Sequence, residues 1–361
     1  MNTEVTSDSS VYFLEETALH FNQVRVGGVS LQFASMDRIA LPHPLDQFRI
    51  EACAPDIAIQ VDWLPELSMP PARQLFHSGY TWRLYDAGPE FRFDFHAPGC
   101  GSLPYRRLLI DRQFSQARLQ MSEKAFEGIE GTASPLEYPL DELLIIHRLT
   151  QEKAIELHSC GIVRADGTGN LFVGHSGAGK STTTRLWTAR EDVEVLSDDR
   201  IIVRRDDVRR DEVRRDEVRN AGTNDGTPVD AAGSADRPGV LRLPDCSASR
   251  TSPFAQDDKK NRGMRMYGTP WHGEGMYTSP GSAPLARIFI LEHGQGNVVT
   301  RLSPSQAVAE LFARSFVPFH RHEYVDSALE FLQELVGEVP CYHYAFEPTE
   351  AAVERIQEFR D

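Results

Sequence analysis

The stretch that decides the fold is Leu171-Phe172-Val173-Gly174-His175-Ser176-Gly177-Ala178-Gly179-Lys180-Ser181-Thr182. From Gly174 onward it fits the pattern G-x-x-x-x-G-K-[ST], the phosphate-binding loop of many nucleotide-binding proteins. The apolar run before the loop predicts a strand, and the stretch from Ser181 to Ala189 is compatible with a helix after it. Glycines let such a loop curl so that its N–H groups point at phosphate oxygens, and the helix N-terminus adds partial positive charge.

Each part of this loop has an expected contact with a nucleotide. Lys180 would reach the outer phosphates, and the hydroxyl of Ser181 would bind Mg²⁺. The alternative is a glycine-rich turn in which the Lys-Ser pair occurs by chance. The predicted nucleotide-binding residues are Gly174, His175, Ser176, Gly177, Ala178, Gly179, Lys180, Ser181 and Thr182.

An acidic doublet follows the loop helix. The alternating run from Val193 to Ser197 predicts a short strand, which ends in Asp198-Asp199. One carboxylate beside Ser181 would suit Mg²⁺, which prefers hard oxygen ligands, and the second could take a proton from an attacking hydroxyl. A solvated turn is the alternative reading of two adjacent acids at a strand end.

A histidine lies upstream of the loop. The run from Leu157 to Val163, the turn Asp166-Gly167-Thr168-Gly169 and the strand into the loop together predict a β-hairpin. This hairpin would bring His158 back beside the phosphate loop. A structural and a functional role for His158 are both open at this point.

Composition excludes several classes of protein. The chain has 361 residues, 40% of them hydrophobic, which is enough for one large or two medium domains. No apolar run approaches the ~20 residues of a membrane span, and the polar N-terminus has no apolar signal core, so we expect a cytoplasmic protein without a membrane partner. A net charge of −15 argues against nucleic acid as a partner. The five cysteines are scattered, without a C-x-x-C pair, and suggest neither disulfides nor zinc.

The chain divides into regions of different character. Residues 1–10 are expected to be disordered, and 11–135 read as a mainly β N-terminal domain. A nucleotide-binding domain would occupy 136–361, beginning with a helix from Asp141. Within it, 204–262 reads as a low-complexity, mobile insert that opens with an Arg/Asp/Glu/Val repeat of period five. That period matches neither a helix face nor a strand face.

The remaining segments predict further α/β structure. Leu285 to Leu291 reads as a strand, Ser303-Pro304 as a helix start, Asp326 to Gly337 as an amphipathic helix and Tyr342 to Phe346 as a final strand. Between the insert and these elements, the segment from Met266 to Gly275 contains three glycines, Trp271, His272 and Glu274. It is read either as a substrate or nucleotide loop or as a turn packed by Trp271.

Taken together, these motifs point to a family. The histidine, the hairpin, the loop and an Asp-Asp pair 18 residues after Lys180 resemble the catalytic domain of HPr kinase/phosphorylase, and more widely the phosphoenolpyruvate-carboxykinase-like nucleotide folds. The resemblance is strongest over 157–203 and weaker over 264–346. It implies an α/β fold: a P-loop-containing HPr-kinase/PEP-carboxykinase-like C-terminal domain with a smaller, mainly β N-terminal domain.

The resemblance also implies roles for individual residues. The loop from Gly174 to Thr182 would hold the triphosphate of ATP, and Ser181 and Asp198 would hold Mg²⁺. Asp199 would be the general base, with His158 near the transferred phosphoryl group and Lys180 neutralising its charge. The chain differs from HPr kinase at His175, where the family has Asp, and at Thr182, where it has Glu.

These observations predict an ATP- and Mg²⁺-dependent kinase that phosphorylates a serine, or another hydroxyl, of a small protein or peptide. The family is often oligomeric, so a homo-oligomer is open. Two alternatives remain at this point: a kinase of the same fold that acts on a small metabolite, and a non-catalytic nucleotide-binding regulatory or scaffold module.

Overall fold

The computed structural model describes residues 19–36, 39–127, 134–190, 193–205 and 263–360. Within these ranges the protein has a mixed α/β architecture built on two eight-stranded sheets. The predicted disordered N-terminus, 1–10, and nearly all of the predicted insert, from 206 to 262, lie outside the described residues.

The first sheet is formed by the N-terminal part of the chain in the order β1-β2-β3-β8-β7-β6-β5-β4. Most neighbours are antiparallel, and β3 is parallel to both β2 and β8. Strands β5 and β6 pair antiparallel across a tight turn and form a hairpin. The strands are β1 (His20–Val26), β2 (Val29–Ser35), β3 (Ile57–Leu64), β4 (Arg73–His77), β5 (Trp82–Ala87), β6 (Glu90–Phe95), β7 (Arg106–Asp111) and β8 (Gln116–Ser122).

Two helices follow this sheet, α1 (Glu123–Phe126) and α2 (Leu140–Leu149). Two 3-10 helices, Leu45–Phe48 and Pro98–Cys100, lie in connections between its strands. The apolar residues of α2, among them Leu140 and Leu144, are buried in the same core as Phe91 and Phe93 of β6. The helix that the sequence assigns to the start of the second domain is therefore fixed against the first sheet.

The second sheet carries the predicted phosphate loop. Its order is β10-β9-β12-β13-β14-β16-β15, with β11 paired to β9. The strands are β9 (Ala154–Val163), β10 (Gly169–Val173), β11 (Glu194–Ser197), β12 (Arg200–Arg205), β13 (Met264–Tyr267), β14 (Ser282–His293), β15 (Val298–Arg301) and β16 (Cys341–Phe346). The helices are α3 (Lys180–Arg190), α4 (Pro304–Phe312), α5 (His322–Glu338) and α6 (Glu350–Glu358).

Helices cover both faces of the second sheet. Side chains alternate along β10, so Leu171 and Val173 face the core formed with α4 and α5, whereas Phe172 faces the core formed with α3 and α6. Burial on both faces explains why the strand before the loop is a continuous apolar run. The predicted helix start at Ser303 is confirmed, because Ser303 and Gln306 form a reciprocal capping box.

Strand β9 changes partners at its middle, and this creates a fork in the sheet. Residues 154–158 pair with β12, whereas 159–163 pair with β10. Strand β10 also pairs in parallel with β14, so β9, β12, β13, β14 and β10 close into a ring. His158, the start of β12 and the end of β10 meet at the fork, because His158 pairs with Arg200 and Ser159 pairs with Val173.

One prediction about the insert is wrong at its first residues. Arg204 and Arg205 were expected to open the insert, but both belong to β12. Arg204 is buried, donating to the carbonyl oxygen of Gly27 at 2.7 Å and pairing with Glu152 at 2.8 Å. The repeat pattern conceals these contacts, because a strand arginine with a distant partner looks the same in sequence as a solvated one.

Among the helices of the described ranges, none combines the length and apolarity needed to cross a membrane.

Candidate functional site

The loop from Gly174 to Thr182 joins β10 to α3, as predicted. Gly177 and Gly179 have φ values of +81° and +101°, which favour glycine. At Gly179 a Cβ would lie 2.4 Å from Cζ of Phe346, so a side chain is also excluded by packing. The ring of Phe346 stacks on His293, whose Nε2 donates to the carbonyl oxygen of Gly177 at 2.9 Å. The glycine pattern is thus required both by the turn and by the wall behind it.

Lys180 begins α3 and its side chain is turned into the loop. The ammonium group donates to the carbonyl oxygens of Gly174 and His175 at 3.1 and 3.2 Å, and it lies 2.8 Å from Nε2 of His158. Burial lowers the pKa of Lys180, although the charge of Asp199 opposes this shift. A partly desolvated cation in the curl of the loop is suited to oxygen ligands of high negative charge.

His158, Lys180 and Asp199 form one cluster at the fork. Nε2 of His158 lies 2.9 Å from Oδ1 of Asp199, which itself lies 3.7 Å from the ammonium of Lys180. Nε2 can either accept from Lys180 with its lone pair or donate a proton to Asp199, and it cannot do both at once. The tautomer of His158 therefore decides whether Nε2 contacts Lys180 as an acceptor or Asp199 as a donor.

Asp199 is also held from its other side. Its Oδ2 accepts from Nε of Arg200 at 3.3 Å, and the guanidinium of Arg200 lies 3.9 Å from the centre of the Phe316 ring. Burial raises the pKa of Asp199, but the hydrogen bond and charge of His158, with the charges of Lys180 and Arg200, outweigh it, so this pKa lies below its ordinary value. Asp199 is therefore a carboxylate at neutral pH.

Arg200 bridges Asp199 to two buried glutamates. Its Nη1 forms an ion pair with Glu142 of α2 and lies 3.5 Å from Glu156 of β9. Burial raises the pKa of both glutamates, and their mutual interaction raises that of Glu156 further. The single cation of Arg200 thus faces three carboxyl groups, and the glutamate pair retains a proton more readily than an exposed carboxyl group would.

Asp198 is bound by the backbone of the segment that follows β13. It is fully buried, and its oxygens accept from the backbone amides of Gly273 and Gly275 at 2.9 and 2.7 Å. The sequence offers the segment from Met266 to Gly275 as a substrate loop or a packed turn. This segment begins within β13, and the amides of its last glycines bind Asp198. Trp271, in this segment, donates from Nε1 to Asp141 of α2 at 2.8 Å.

The predicted site residues fall into two groups. The structure brings His158, Lys180 and Asp199 together at the loop, whereas Asp198 is bound by the backbone amides of Gly273 and Gly275. In the loop itself Gly174 is buried and Ala178 and Gly179 are half-buried, whereas His175, Ser176 and Gly177 are exposed. Ser181 and Thr182 lie half-buried in the first turn of α3.

The donors at the loop match a hard cation in chemistry. The hydroxyl of Ser181 and the carboxylate of Asp199 are oxygen donors of the kind that Mg²⁺ binds together with phosphate oxygens. Each oxygen of Asp198 accepts one amide hydrogen bond, which leaves it a further lone pair for another contact. Within the described ranges, no group of three or more His, Cys, Asp or Glu side chains could hold a metal ion by itself.

Sequence reasoning missed the residues that support the doublet. Arg200 directly follows Asp199, and an arginine beside a functional acid was the available signal. Glu142 and Glu156 lie 58 and 44 residues from Arg200, and nothing in their local sequence marks them as its partners.

A separate cavity of about 430 Å³ lies on the first sheet, with Pro70, Pro71, Arg92 and Arg107 among its lining residues, and no predicted site residue lines it.

The chain was compared with family models and with curated proteins, and no family model and no curated protein matches it.

Proposed function

We propose that this protein is an ATP- and Mg²⁺-dependent kinase of the HPr-kinase-like, phosphoenolpyruvate-carboxykinase-like class, which transfers the γ-phosphoryl group to a serine or another hydroxyl of a protein or peptide. The observation that carries the proposal is the convergence of Lys180, His158 and Asp199 at the mouth of the glycine loop, within 2.8–3.7 Å of one another. Phosphoryl transfer requires mainly positioning and charge neutralisation, which this arrangement supplies.

The proposed roles follow from the geometry. The loop amides and Lys180 bind the phosphates, and Lys180 would exchange its carbonyl partners for phosphate oxygens. Asp199, ionised and oriented by Arg200, accepts the proton of the attacking hydroxyl, and Nε2 of His158 is placed to receive or return it. Mg²⁺, when bound, would neutralise phosphate charge. Its protein ligands would be the hydroxyl of Ser181 and a carboxylate oxygen of the Asp198-Asp199 doublet.

The test is transfer of labelled γ-phosphate from ATP to proteins and peptides of the source cells, followed by mapping of the phosphorylated residue. We expect Lys180→Ala and Asp199→Asn each to lower kcat/KM by about 100-fold or more, since each removes a charged group at the reacting phosphate. Arg190→Gln is the matched control, because Arg190 lies in the same helix and pairs with Glu354 at 2.7 Å, on α6. Transfer that survives both site substitutions would refute the proposal.

A second candidate is a nucleotide-binding module without transferase activity. The observation in its favour is Asp198, whose two oxygens accept from the backbone amides of Gly273 and Gly275. This candidate predicts MgATP binding that depends on Lys180, together with no hydrolysis and no transfer to any hydroxyl acceptor, protein or metabolite. A small-metabolite kinase would instead phosphorylate a metabolite pool while leaving peptides unmodified.

A further inference from the structure

Two adjacent acids of α2 contact the residues that support the doublet, Glu142 directly through Arg200 and Asp141 through the loop of Trp271. Glu142 forms an ion pair with Arg200, which donates to Asp199. Asp141 accepts from Trp271, whose loop binds Asp198 two and four residues further along. One turn of one helix thus contacts the supports of both carboxylates.

The two chains of contacts begin in buried residues and become partly exposed toward the doublet. Asp141 and Glu142 are 5% and 6% exposed, and Trp271 is 7% exposed. The carbonyl oxygen of Trp271 also accepts from the hydroxyl of Ser197 at 3.0 Å, which fixes the same loop against the end of β11. Buried, satisfied polar contacts hold their partners more rigidly than exposed ones do.

Helix α2 is itself anchored away from the site. Its apolar residues lie in a core that holds most of the buried residues of the first sheet and also Ile202 of β12. Packing therefore fixes the position of α2, and its two acids make polar contacts from that position with Arg200 and Trp271.

We propose that Asp141 and Glu142 are positioning residues, which set the orientation of Asp198 through Trp271 and of Asp199 through Arg200. As positioning residues for phosphoryl transfer they rest on the function proposed above, but the contacts they control exist with or without catalysis. Without Glu142, Arg200 is left with Glu156 as its buried partner and moves toward it, away from Asp199. Without Asp141, the indole N–H has no acceptor and the loop that holds Asp198 loosens.

The experiment compares isosteric and apolar substitutions in the full chain. Asp141→Leu and Glu142→Leu remove the acceptor, whereas Asp141→Asn and Glu142→Gln keep an oxygen in its place. We expect each Leu variant to lower kcat about 10- to 100-fold while the KM for ATP changes less than about threefold, since a buried hydrogen bond at the supports is lost but the phosphate loop is intact. The Asn and Gln variants should recover most of kcat.

A control separates positioning from loss of stability. Leu143→Ala leaves a cavity in the same helix without touching either acid, so it should lower the thermal midpoint and leave kcat near the wild-type value. A loss of kcat in Leu143→Ala equal to that in the Leu variants of the two acids would overturn the proposal. So would wild-type kcat in both of those Leu variants.

A second readout does not need catalysis. The imidazole ¹⁵N signals of His158, assigned with a His158→Gln variant, report its contact with Asp199, and the amide signals of Gly273 and Gly275 report their bonds to Asp198. Glu142→Leu should move the first set and Asp141→Leu the second, whereas Leu143→Ala should move neither. If the wild type transfers no phosphate, the proposed kinase fails, and these spectra still decide the positioning roles: unchanged signals in both Leu variants refute them.

Discussion

The charge of Asp141 is predicted to lower the stability of the fold at neutral pH. Burial raises the pKa of this carboxyl group from 3.8 to about 6, although the hydrogen bond from Trp271 opposes the shift. Because the folded state binds the proton more tightly than the unfolded state, stability falls as pH rises through the window from about 4 to 6. A pKa difference of this size corresponds to about 3 kcal/mol at pH 7 and about half of that at pH 5.

Asp141→Asn removes this pH-dependent penalty while keeping the acceptor for Trp271. Oδ1 of Asp141 is buried without a hydrogen-bond partner, so the new amide N–H₂ at that position has no acceptor and costs about 1 kcal/mol. We therefore expect the variant to be about 2 kcal/mol more stable than the wild type at pH 7. The advantage should vanish near pH 4.5 and reverse below it.

The assay is urea unfolding of both proteins, followed by circular dichroism, at steps between pH 4 and 8. The difference in unfolding free energy should rise with pH and level off above pH 7. A constant difference across this range, or a variant that is less stable at pH 7, would show that Asp141 is not a buried ionised group. Asp56→Asn would not serve as the control, because it breaks a bond to the Ser30 backbone; the exposed Glu330→Gln serves instead.

Three further predictions concern the loop and the cores. Gly179→Ala should weaken ATP binding at least ~10-fold, because its Cβ meets Phe346 in addition to the strain of a positive φ. Gly177→Ala has open space around it and carries only the strain of its positive φ, so its loss should stay within about fivefold; equal losses by titration calorimetry would contradict the packing argument. Trp187→Ala should lower the free energy of unfolding by about 3–5 kcal/mol, since this fully buried side chain fills the core beneath α3; a change under 1 kcal/mol in urea would contradict that. Arg204→Leu should cost about 3 kcal/mol in the same assay, because a buried ion pair is broken, and no cost would mean that the contact contributes nothing.

The local elements of the site could be predicted from sequence because each depends on neighbouring residues. The strand from Leu171, the glycine loop and the helix from Lys180 are encoded within twenty residues, and the hairpin that returns His158 is fixed by its Gly-rich turn. Apolar periodicity and turn chemistry act over a few residues, so their signals survive without knowledge of the fold.

The division of labour within the acidic doublet could not be predicted in this way. Asp198 and Asp199 lie in the bend between β11 and β12, so the local sequence does not decide which of the two acids faces Lys180 and His158. Which one does so depends on the register between β9 and β12, where Arg200 pairs with His158. That register is a contact between segments about forty residues apart, and the doublet itself contains no signal for it.

The sequence by itself determined that a phosphate loop, a histidine hairpin and an acidic strand end occur in order along one chain. Only the tertiary structure decided that Asp199 joins Lys180 and His158, that Asp198 is bound by the amides of Gly273 and Gly275, and that one turn of α2 supports both. The physical reason is that loops and hairpins form from local backbone preferences. Buried ion pairs form where distant elements pack together, because charges that are removed from water then have only one another as partners.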